Sequence, residues 1–195
     1  MKEENLIKMI KEDCERVADH FGIKELPEIN IIAASTGEAE FKLGTCKFSA
    51  FPVALNVLKV KALDTINIFI SSAKSFAQSI LGKDGVLLKE TELFMACIRY
   101  TAIHEMVHWI QMKMGIEVEV PNGDDPNIII ADVLETKCVN EAGNVINDLY
   151  RNEPLIKAMA ELDIVNVKEK FKNCEKQEIK NLKDKIIAKI KDILS

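Results

Sequence analysis

The stretch TAIHEMVHWIQMKMG, residues 101–115, holds two of the three histidines in a chain of 195 residues, with a glutamate directly after the first. On a helix each residue advances about 100°, so His104 and His108 lie about 40° apart around the axis and about 6 Å apart along it. Both imidazoles can reach one ion. Zinc takes neutral imidazole nitrogens at about 2.0–2.1 Å, and three protein ligands leave a fourth position for water, whose pKa the ion brings to about 7. Glu105 points to the side of the pair, where a carboxylate can take a proton from that water. Ala102, Ile103, Met106, Val107 and Ile110 cover the back of the helix, while the histidine stripe also bears Thr101 and Gln111. A working metal helix needs such packing behind it. The rival reading is two imidazoles hydrogen-bonded in a helix interface.

Working outward, the segment after Gly115 reads as a loop, IEVEVPNGDD, and Asp125-Pro126 then offers an N-cap followed by proline at the first helical position. A helix over 126–150 follows. Upstream, Asp84-Gly85 forms a turn into one long helix or two in tandem ending at Gly115. Ser71 or Ser72 caps a short helix closed by Gly82. LPEINIIAAS (26–35) and DTINIFISS (64–72) read as strands, the latter with Ile66, Ile68 and Ile70 alternating. Between them lies an apolar stretch that Pro52 confines to an edge strand or a loop. Residues 3–21 repeat apolar side chains at helical spacing and stop at Gly22. The spacing predicts an α+β fold with a small sheet of three or four strands, as one unit over 1–150 with a lysine- and glutamate-rich helical extension over 151–195 packed on it. That extension reads as cover with no part in the chemistry.

Composition narrows the class. Hydrophobic residues are 48 % and charged residues 29 %, those of an ordinary globular chain. The net charge is −5 and only Arg16, Arg99 and Arg151 are arginines, which argues against nucleic acid as a partner. The charged N-terminal stretch has no signal-peptide core and no apolar run is long enough to span a bilayer, so a cytoplasmic protein without membrane attachment is expected. Five cysteines (Cys14, Cys46, Cys97, Cys138 and Cys174) show no C-x-x-C pair, and read as reduced thiols that mostly pack. Cys97, seven residues before His104, sits about 10 Å up the helix and is too distant to be a ligand.

At His104-Glu105-x-x-His108 the chain resembles the zincin metallopeptidases, whose signature is H-E-x-x-H on an active-site helix beside a small twisted sheet. The likeness covers this motif and the order of strand and helices around it. Gln111 and Met114 stand where the extended form of the signature has glycine and a third histidine. The resemblance therefore implies the gluzincin-like branch, with zinc as cofactor and a glutamate on the next helix as third ligand. Two candidates occur there. Glu135 falls about 40° from the centre of that helix's apolar face and Glu141 about 80° off it. A carboxylate on a buried face needs a partner, which favours Glu135; NEAGNV (140–145) matches only the first two letters of the family's N-E-x-x-S-D and keeps Glu141 as the alternative. His20 reads as a helix-end cation, and neither Tyr100 nor Tyr150 is assigned a role. The implied activity is zinc-dependent hydrolysis of a peptide bond in a peptide or protein substrate, with Glu105 as general base and the substrate extended along a sheet edge, for which 45–57 is the candidate, an ordinary covered edge being the equal alternative. The alternative is a non-catalytic module of the same fold that holds a partner through its helical surface.

Overall fold

The computed structural model describes residues 3–33, 43–82, 87–171 and 175–195. Its organising element is a helix of 28 residues, Leu87–Met114, which is α3 in chain order. Every side chain from Thr101 to Ile110 on it is buried. Such a helix must be covered all round, and the rest of the chain does that.

Three strands and two helices come before α3, and one strand and three helices after it. Helix α1 (Glu3–His20) ends where Gly22 turns the chain at a φ of 70°, a left-handed conformation that glycine adopts without cost. Strand β1 (Glu28–Ile32) pairs in parallel with the end of β3 (Val57–Phe69). Strand β2 (Gly44–Ala54) forms an antiparallel hairpin with β3, turning at Asn56 with a φ of 60°. The short β4 (Ile116–Glu119) pairs antiparallel with the start of β3. The four-stranded sheet runs β1-β3-β2, with β4 on the β1 side of β3. Helices α2 (Ile70–Leu81), α4 (Pro126–Leu149), α5 (Pro154–Phe171) and α6 (Lys176–Ile193) complete an α+β architecture of six helices among the described residues. None of the described helices is long and apolar enough to cross a membrane.

Several local expectations hold for the reasons given. Asp125 caps α4, its carboxylate accepting from the Asn127 amide at 2.9 Å with Pro126 at the first helical position. Pro52 lies on β2, the edge strand, at a register irregularity next to the hairpin turn. Others are corrected. Ile70 is not a strand residue: β3 ends at Phe69, which stands at the N-cap of α2, so neither Ser71 nor Ser72 caps that helix. IEVEV is not wholly loop, because Ile116 and Val118 are buried while Glu117 and Glu119 are exposed, the period of two expected of a strand on a sheet. The Asp84-Gly85 turn, the end of the 26–35 strand reading and Cys174 lie outside the described residues.

One large buried cluster joins α1, α2, α3, α4, α5 and α6 to the inner face of the sheet through Ile66 and Ile68. A smaller cluster under β4 seats the start of α4 on Val60, Met112, Ile116 and Val118. Helix α5 brings Ile156, Ala158 and Met159 into the large cluster. The tail therefore shares the core of the first 150 residues and has none of its own there.

Candidate metal centre

His104, Glu105 and His108 lie on the fully buried part of α3, and α4 runs alongside it. Small side chains on α4, Cys138 and Ala142, are fully buried and permit close approach. One turn before Cys138, Glu135 projects to the same pair of rings. Its Oε2 lies 3.5 Å from His104 Nε2 and 3.4 Å from His108 Nε2. Both separations exceed the usual N–H···O hydrogen bond of about 2.9–3.0 Å. They match the spacing of about 3.3 Å between donors that each sit about 2.0–2.1 Å from a tetrahedral ion. Glu135 lines the adjoining cavity and Glu141 does not; neither belongs to the metal-ligating group.

That group has a member the sequence reading placed in the packing. Among the described residues, the ligand atoms of His104, His108 and Cys138 all lie within 4.8 Å of one another, and all three residues are buried. The group can hold a metal ion. Burial opposes protonation of both imidazoles, yet Cys138 with Asp163 at His104 and with Glu135 at His108 outweigh it, raising His104 strongly and His108 to about 10. Burial likewise opposes ionisation of Glu135 and Cys138, and the facing imidazoles overcome it and lower both. Protons on the rings thus stand where a cation would serve the same anionic neighbours. Burial instead raises Cys14 and Cys97 to about 12, as expected of inert packing thiols.

A further residue was not anticipated. Asp163 on α5 accepts from the Tyr100 hydroxyl at 2.5 Å, and the same oxygen lies 3.0 Å from His104 Nδ1. A carboxylate at this position can fix the orientation of the His104 ring. Helix α5, read from the sequence as cover, thus contributes a side chain to the cluster. Tyr100 is committed to Asp163 and Tyr150 to Asp13 at 2.9 Å, so neither hydroxyl is free to serve an oxyanion. His20 packs edge-on against Phe21 in the last turn of α1, away from the cluster.

Glu105 lies at the bottom of a cavity of about 460 Å³, walled by the start of β2 on one side and by α5 on the other. Burial raises its pKa, partly offset by the two imidazoles, which gives a carboxylate with raised affinity for a proton. Strand β2 crosses this point at minimal distance. A Cβ on Gly44 would stand 2.6 Å from Thr101 Cγ2 and 2.9 Å from Glu105 Oε1, so only glycine fits. No family model, no curated protein and no solved structure matches the chain.

Proposed function

We propose that the protein is a zinc-dependent peptidase of gluzincin-like type. The observation that carries this reading is the convergence of His104 Nε2, His108 Nε2 and Glu135 Oε2 beside buried Glu105 at the floor of a cleft. The donor spacing fits an ion of zinc's size and preference, and two imidazoles with a carboxylate are the donor set of a hydrolytic zinc site. Zinc, when bound, supplies Lewis acidity toward a carbonyl oxygen and makes water more acidic.

The chain's own groups do the rest. Glu105 takes a proton from the attacking water and passes it to the departing amine nitrogen as the C–N bond breaks. Asp163, with Tyr100 behind it, keeps the His104 ring oriented. Strand β2 is bonded on one side only, to β3, among the described residues, and it carries Phe48, Phe51 and Val53 in partly exposed positions. An extended polypeptide can add to that free edge and enter the cleft at Gly44.

The test pairs metal analysis of the purified protein with cleavage of an unfolded polypeptide by the wild type and by Glu105→Gln. Stoichiometric zinc in both, with cleavage in the wild type alone, is the expected result. Zinc without Glu105-dependent cleavage would favour the partner-binding module.

A further inference from the structure

We propose that the thiol of Cys138 is itself a ligand, joining His104 and His108 at the ion, so that the donors are not nitrogen and oxygen alone. This rests on the reading of the cluster as a metal centre. Cys138 follows Glu135 by three residues on α4, so the two side chains leave the same helix face one turn apart. The sulfur and a ring nitrogen from each histidine lie within 4.8 Å of one another. The cysteine is fully buried.

The thiol's present partner is the His104 carbonyl at 3.2 Å, an acceptor within the hydrogen-bonded helix. Leaving it costs little, because S–H is a weak donor. Other described cysteines differ in their surroundings. Cys14 faces the Ala102 carbonyl at 4.0 Å and Cys97 faces the Met159 sulfur at 3.6 Å, and neither joins the imidazoles. Cys138 does not line the cleft, so it meets the rings from the interface of α3 and α4 and leaves the cleft side to water and substrate. A soft thiolate in the donor set also selects among ions, favouring zinc, cobalt or cadmium over manganese and magnesium.

Cobalt(II) loading of the full-length chain tests the assignment, read by absorption and by equilibrium titration. The expected result is about one cobalt per chain with a strong near-ultraviolet sulfur-to-cobalt band beside the visible bands of the ion. Cys138→Ser should abolish that band and weaken cobalt binding about tenfold or more, while Glu135→Gln and Cys14→Ser should retain the band. Cobalt bound without a sulfur band in the wild type overturns the thiolate ligand and leaves the metal centre standing. A band that survives in Cys138→Ser also overturns it, whereas no cobalt binding at all overturns both readings. The decisive spectrum is that of the unaltered protein, so it does not depend on how a variant folds.

Discussion

Adjacent residues of α3 lead into two polar clusters that handle charge in opposite ways. Arg99 donates to both oxygens of Asp13, at 2.8 and 3.0 Å, and also to Glu153, while Tyr150 completes the shell of Asp13. Its guanidinium is a permanent cation, and the two carboxylates hold its pKa above the usual arginine value despite the cost of burial. Tyr100, the next residue, enters a cluster with Asp163, His104, Glu105 and Glu135. Among the described residues, its three carboxylates have no lysine or arginine ion pair. The first cluster carries its cation on the chain and fastens α1, α3 and the turn before α5. The second lacks a fixed cation and groups soft and hard donors instead. A protein that needed only rigidity would have repeated the first solution.

The largest effect that separates the two clusters is expected from Glu105→Gln. It should lower peptide cleavage by up to about 10⁴-fold while leaving zinc content unchanged, as measured by turnover and by metal analysis. Arg99→Met should act on the other cluster, leaving Asp13 buried without its cation. A loss of about 3 kcal/mol in urea unfolding is expected, with zinc stoichiometry kept by the folded fraction. Equal zinc loss in Arg99→Met would erase the distinction between the clusters. Asp163→Asn sharpens it: the ring loses its anionic partner but not its position, and zinc affinity should fall about 10- to 100-fold by competition with a chelating dye. Gly44→Ala should be mildest, costing about 1–2 kcal/mol of thermal stability as β2 lifts from Thr101 and Glu105. Its activity should fall with zinc retained, since Glu105 is displaced and the ligands are not.

Much of this was legible in the residues, and the misses have physical causes. His104, Glu105 and His108 announce themselves by spacing, and Glu135 by standing near the apolar face of a helix whose caps, Asp125 and Pro126, are unambiguous. Strand β4 escaped because four alternating residues beside a glycine and a proline carry little periodic signal. The β3–α2 boundary escaped because Ile70 continues the alternation of Ile66 and Ile68 and is equally suited to begin a helix. Asp163 was hidden by the lysine and glutamate content of the tail. The rule that found Glu135 also finds it, since Ile156, Met159, Asp163 and Val167 follow one helical stripe and Asp163 alone is charged. Cys138 reads with the packing thiols, and its place one turn after Glu135 does not by itself bring it to the histidines. Its proximity to the imidazoles arises only when α4 packs on α3.

The unbroken burial of α3 from Thr101 to Ile110 has a consequence for how the molecule breathes. Held in the hydrogen-bonded helix and packed on every side but the one that borders the cleft, these amides should exchange among the slowest in the chain. The imidazoles are thereby mounted on the last part of the protein to come apart, and what is held between them comes and goes by way of the cleft.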